Sequence, residues 1–233
     1  MAASDKNKKS KKSKQEKTNL IAFIALLALA VVVIAVIVGV SIKEKNKPED
    51  EIPDVSGAEW YADIVIRDYG TITVALDSEA APLTVANFVS LAQSGFYDGL
   101  TFHRIMAGFM MQGGDPRGNG SGNSGTRIKG EFSANGWEKN TIQHTRGVIS
   151  MARSSDSYDS ASCQFFIMQE SAPHLDGQYA AFGYVTSGIE VVDAVCDSAR
   201  PTDRNGTIPS NQQPVIETIR VYQHAAESGT GAH

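Results

Sequence analysis

Apolar and polar positions follow two different patterns along the chain. Leu20 to Ile42 form 23 consecutive residues without a charge. As a helix this run would be about 34 Å long at 1.5 Å per residue. That is enough to cross a hydrocarbon core of about 30 Å, so it predicts one transmembrane helix. From Trp60 onward the apolar runs are short and separated by turn residues. Tyr61–Arg67 and Thr71–Leu76 flank Asp68-Tyr69-Gly70, which predicts a β-hairpin. Pro82–Ala92 predicts a helix, with Pro82 in the first turn, an apolar face of Leu83, Val85, Ala86, Val89 and Leu91, and Gly95 where a stop is expected. Thr101–Met106 and Phe109–Met111 are strand-like runs joined at Ala107-Gly108. Further strands are expected at Gly147–Met151, Gln164–Met168, Ala181–Val185 and Val215–Tyr222, with a short helix at Ile189–Cys196. Many short strands and few helices indicate a mainly β domain, a barrel or a sandwich.

Charge divides the chain. Residues 1–19 hold seven lysines against Asp5 and Glu16 and show no apolar periodicity, which predicts a disordered basic tail. Residues 43–59 are charged and contain Pro48, Pro53 and Gly57, as a linker does. The folded domain then spans 60–223, and 224–233 form a frayed tail. Lysines before the apolar run place the N-terminus in the cytoplasm and the domain outside, with the basic tail near anionic headgroups. The alternative is a signal peptide cleaved near Gly39-Val40-Ser41 and a secreted product, although the run exceeds the 7–15 apolar residues usual there. Residues 43–233 carry 14 basic against 24 acidic residues, which argues against nucleic acid as a partner. The two cysteines, Cys163 and Cys196, have no metal-binding spacing, and free buried thiols are favoured over a disulfide.

Arg104 is the unusual residue. A charge inside an apolar run is costly unless paired, and the plain reading is an arginine satisfied by a carboxylate or by backbone carbonyls. Beside it, however, Phe109, Met110 and Gln112 supply an apolar patch and an amide, which suits a pocket with a few placed polar groups. Residues 113–126 are glycine-rich, and Gly120–Gly125 formally match GxGxxG. No βαβ context surrounds them and no helix opens after them, so a dinucleotide site is rejected in favour of a mobile loop beside a cleft. No GxSxG occurs, and His103, His144 and His174 are scattered, so a serine hydrolase has little support.

The stretch Tyr97–Gly113, YDGLTFHRIMAGFMMQG, resembles the signature of the cyclophilins, which are peptidyl-prolyl cis-trans isomerases. Gly147–Arg153, Ser162–Ile167 and Leu175–Gly183 follow in the family order, and the likeness covers about Trp60 to Tyr222. It is similar to bacterial members in particular. The resemblance implies a closed eight-stranded antiparallel barrel capped by two helices, here preceded by the transmembrane helix. It implies X–Pro isomerisation, which the membrane-like run directs to exported or surface polypeptides; rotation makes and breaks no bond, so no cofactor or metal is expected. Arg104 would be the catalytic donor, oriented by Gln112. Phe109, Met110, Phe166 and Leu175 would form the proline pocket, with Ala152 and Gln164 along the peptide groove. Arg153 matches a position where backbone groups grip substrate, so its side chain should contribute little. His103 lies beside the catalytic arginine in a supporting role and is not a base. His174 stands where cyclosporin-sensitive members have Trp, and Tyr179 where they have His; both line the groove, and tight cyclosporin binding is not expected. A proline-peptide binding module without turnover is the alternative.

Overall fold

The computed structural model describes residues 53–224. The expected basic tail, transmembrane helix, first part of the linker and residues 225–233 lie outside the described residues. Among the described residues, no helix is long and apolar enough to cross a membrane.

The described chain runs β1 (Glu59–Ile66), β2 (Gly70–Leu76), α1 (Pro82–Gln93), β3 (Phe102–Met106), β4 (Met110–Gly113), β5 (Val148–Met151), β6 (Phe165–Met168), β7 (Ala181–Ser187), α2 (Ile189–Ser198) and β8 (Ile216–His224). Every pairing is antiparallel, in the order β3-β4-β6-β5-β7-β2-β1-β8. The expected hairpin is β1–β2, and its turn places Asp68 at φ 65°, a conformation Asp tolerates better than most residues. Alternate residues of β1, Ala62, Ile64 and Ile66, are buried, as a half-covered strand requires. Val55, in the segment read as linker, is buried against the same core.

The barrel is not closed, contrary to the expectation. The end strands β3 and β8 share no ladder and meet through one bridge, Thr101 to Val215, with Phe102 N–H donating to Pro214 O (3.0 Å) and Ile216 N–H to Leu100 O (2.8 Å). The cause lies in how each edge is used. β8 runs along β1 for its whole length, and the free edge of β3 is taken by the 202–208 segment. There Ile105 N–H donates to Gly206 O (2.8 Å) and Ile208 N–H to His103 O (3.0 Å).

Helix α1 covers the core with Val85, Phe88, Val89 and Ala92, a stripe at i, i+3, i+4, i+7. Leu83 and Leu91, counted on that face from the sequence, sit on its flanks and are only half-buried. Phe88, which that reading passed over, meets Tyr97, Phe165 and Phe182 at ring separations of 5.4, 5.6 and 5.2 Å. No side chain of the preceding residue caps α1. Instead buried Glu131, 47 residues onward, accepts from Leu83 N–H (3.0 Å), Thr84 N–H (2.8 Å) and Thr84 Oγ1 (2.7 Å). A carboxylate there satisfies orphan donors and suits the positive end of the helix.

Candidate active site

Strict alternation along β3 would put Phe102 and Arg104 on one face, because side chains repeat every second residue. The structure avoids this with a bulge. Phe102 pairs with Gly113 and Arg104 with Gln112, so His103 is an extra residue on β3. Phe102 therefore joins Ile105 and Met111 in the main core, while Arg104 turns to the opposite face. Re-aiming a side chain is what such a bulge does. Arg104, Gln112, Phe166 and Ser150 then form one cross-strand row over β3, β4, β6 and β5. Met106, Met110 and Met168 form the next.

Arg104 is half-buried in this face. Its Nε donates to the backbone carbonyl of Asn205 (2.7 Å) and one Nη to Gln112 Oε1 (3.3 Å). The sulfurs of Met106 and Met110 lie 3.2 and 3.8 Å from its Nη atoms. Burial presses its pKa down from the ordinary value, opposed by Tyr179 and Asp203. The guanidinium stays cationic, as arginine does in proteins. Among the described residues no carboxylate bonds it, which leaves its charge to a ligand. Gln112 Nε2 donates to Gln164 Oε1 (3.0 Å), and Gln164 Nε2 to the carbonyls of Gly120 (3.1 Å) and Gly122 (2.9 Å). The glycine-rich loop is thus wired to Arg104 through two amides. The loop takes its shape from buried Asp115, which accepts from Arg117, Asn119 and Gly120 N–H. Burial works against this charge, but the backbone donors outweigh it and hold the carboxyl below its usual range.

Beside the guanidinium, Met110, Phe166 and Leu175 form a second apolar cluster, with Phe109, Ala152 and Tyr179 packed on it. Leu175 ends a 3-10 turn, Pro173–Leu175, and His174 from that turn stacks on Phe109 at 5.8 Å. Phe166 rests on His144 (5.9 Å) and meets Tyr179 edge-on (5.8 Å). His144 is locked between Asp176 Oδ1 (Nδ1, 3.1 Å) and Ser150 Oγ (Nε2, 3.1 Å). This serine–histidine–aspartate chain was invisible in the sequence. Ser150 is fully buried beneath the slot and out of reach of substrate, so the chain serves as a brace.

The structure thus brings Arg104, Gln112, Phe109, Met110, Ala152, Gln164, Phe166, His174, Leu175 and Tyr179 to one face. His103 stands apart, 4% exposed at the bulge below Gly120, with neither ring nitrogen bonded among the described residues. Burial and Arg104 lower its pKa while Asp115 raises it, and the net shift is downward. The side chain of Arg153 reaches back over the groove wall. Its guanidinium lies over the rings of Tyr179 (4.6 Å) and Tyr158 (4.8 Å), and it donates to Gln178 O (3.0 Å) and Ser154 O (2.8 Å). The sequence reading also missed Asn205, whose contribution is a backbone carbonyl. The turn-forming run Asp203-Arg204-Asn205-Gly206 was the one signal available. A pocket of about 220 Å³ adjoins the slot at Gln112, Ala152 and Gln164.

The profile of the family described as "Cyclophilin type peptidyl-prolyl cis-trans isomerase/CLD" matches residues 61–221. The chain belongs to this family. Similar cyclophilins include peptidyl-prolyl cis-trans isomerase B of Bacillus subtilis, 48% identical over 126 residues, covering 54% of this chain and 83% of that protein. A peptidyl-prolyl cis-trans isomerase of Helicobacter pylori is 45% identical over 128 residues, covering 54% of this chain and 74% of that protein. Among solved structures, a cyclophilin-type isomerase of Cryptosporidium parvum, determined in the presence of the dipeptide Ala-Pro, superposes with a TM-score of 0.61 at 28% identity. It covers 70% of this chain and 99% of that one. The chain is therefore an enzyme of the peptidyl-prolyl isomerase class, with a cyclophilin sheet and its two helices.

Proposed function

We propose that Arg104 catalyses rotation about X–Pro bonds by stabilising the twisted prolyl amide. The barrier of about 18–20 kcal/mol comes from amide resonance. The two planar forms differ by only about 0.5–1 kcal/mol and exchange unaided in roughly 10–100 s. No bond is made or broken, so the reaction asks for no nucleophile. In the twisted state the proline nitrogen regains its lone pair, and a donor aimed there favours that state over either planar one. The observation that carries the reading is Arg104 itself, half-buried beside the Met110–Phe166–Leu175 slot and tethered by Asn205 O and Gln112. Gln112 and Gln164 orient the cation and bind the substrate backbone, and Phe109 closes the slot. His174 and Tyr179, against Phe109 and Phe166, shape a groove in which cyclosporin binds weakly.

One hydrogen bond to a charge is worth about 1.5–3 kcal/mol. Five decades of acceleration need about 7 kcal/mol. Holding the flanking peptide in a preorganised, partly desolvated groove supplies the rest. The clients in this reading are proline-containing polypeptides outside the cytoplasm. Support for that location comes from the uncharged run Leu20–Ile42 behind seven lysines, which suits a membrane anchor. The direct test is magnetisation exchange by NMR on a short X–Pro peptide with the full-length protein. Exchange accelerated in proportion to enzyme upholds the reading, whereas peptide shifts on binding without acceleration favour the non-catalytic module.

A further inference from the structure

The pocket beside the proline slot has a distinctive charge. Its lining includes two arginines, Arg127 and Arg153, with Asn123 and Gln164 beside them, and no acidic residue. In a stretch where acidic residues outnumber basic ones by 24 to 14, that is a local inversion. Neither arginine forms an ion pair, and Arg127 has no hydrogen-bond partner among the described residues. Arg153 is held by two carbonyls and two tyrosine rings, which fixes its position, while no carboxylate among the described residues neutralises it. The nearby carboxylates are committed or outside the pocket. Asp115 accepts from the loop backbone, Asp159 accepts from Gly130 N–H and Asn135 Nδ2, and Asp156 is exposed on the neighbouring loop.

We infer that this pocket selects substrates bearing an anionic side chain close to the proline. The inference rests on the isomerase reading. Gln112, Ala152 and Gln164 line both the pocket and the groove, so a peptide whose proline fills the slot passes its neighbours over the two arginines. The shared chemistry is a carboxylate or a phosphorylated hydroxyl. Arg153, fixed in place, acts as the preorganised cation; Arg127, exposed, completes the pair and makes the preference sensitive to salt.

The test uses the full-length protein and a series of short peptides with Glu, Gln or Lys placed in turn at each position flanking one proline, and phosphoserine at the best of them. At low ionic strength one position should favour Glu over Gln by about fivefold in kcat/KM, the upper end for an exposed ion pair, with Lys worst. The preference should shrink at 0.5 M salt, a condition of the assay set at about a 3–5 Å screening length. Arg127→Gln should remove much of it while leaving turnover of the uncharged peptide unchanged. Whichever of glutamate and phosphoserine is preferred more strongly names the natural source, and either upholds the pocket. Equal rates for Glu and Gln at every position, or an unchanged preference in Arg127→Gln, overturn it. If no peptide is isomerised, the failure belongs to the isomerase reading, and the same comparison in peptide Kd decides the charge preference in the same way.

Discussion

Replacing Gly206 with alanine should damage catalysis from outside the groove. Gly206 has φ +87°, and a Cβ on it would lie 2.7 Å from Ile105 O and 2.5 Å from Met106 Cγ. Its carbonyl also receives Ile105 N–H at 2.8 Å. An alanine in this left-handed conformation costs about 1–2 kcal/mol by itself. The added methyl pushes the 202–208 segment off β3. Asn205 O, which accepts from Arg104 Nε at 2.7 Å, moves with it. Gln112, at 3.3 Å, then remains as the guanidinium's oxygen partner. A hydrogen bond to a charged group is worth about 1.5–3 kcal/mol. Even at the lower figure its loss predicts about a tenfold fall in kcat/KM. The assay is NMR exchange on an uncharged X–Pro peptide, with the Arg104 Nε–H resonance reporting whether the bond has broken. A resonance shifted out of its hydrogen-bonded position with kcat/KM within twofold of wild type would refute the claim that Asn205 positions the cation.

Glu131→Gln replaces one of two occupied acceptors with a donor facing N–H groups at the start of α1, and should lower stability by about 2–3 kcal/mol in urea melts. A loss below about 0.5 kcal/mol, the range of an ordinary surface substitution, would remove the carboxylate cap from the account. Burial, the first cause in each case, holds His103 and His144 below the usual histidine value of 6.5. The unfolded chain therefore takes up protons that the native state refuses as pH falls through 6.5, and stability drops in that direction. The slope is about 1.4 kcal/mol per pH unit for each excluded proton, and urea midpoints that stay level from pH 7.5 to 5.5 would contradict it. Burial also pushes the Cys163 thiol up to about 11 and Cys196 to about 12. A disulfide-exchange reagent at pH 8 should titrate neither in the native protein and both in urea; fast native reaction would show that one is exposed.

Much of the site was readable because its chemistry is local. Arg104, Phe109, Met110 and Gln112 fall within one hairpin, where a charge amid apolar residues marks a pocket. The face each side chain takes was not readable. Alternation alone would send Arg104 inward with Phe102, and the bulge that separates them depends on how β3 pairs with β4. Long-range partners were equally hidden: Asn205 lies 101 residues from Arg104, and the cap on α1 comes from Glu131. Arg153 was read by family position, which says nothing of the tyrosines its guanidinium meets. The open seam follows from competition at the edge of β3, where the 202–208 backbone takes donors and acceptors that a closing strand would need.

Comparison of Arg104→Ala and Arg104→Lys with the wild-type protein, in peptide binding and in catalysed exchange on one sample, tests the central claim most directly. The account predicts that both variants bind the X–Pro peptide within a few-fold of wild type. It also predicts that exchange falls by about two decades or more in the alanine variant, since a charged donor worth about 1.5–3 kcal/mol and the geometry it imposes are lost together. Lysine, a cation without the fork held by Asn205 and Gln112, should recover little. Exchange at the wild-type rate in Arg104→Ala, with binding intact, would contradict the account.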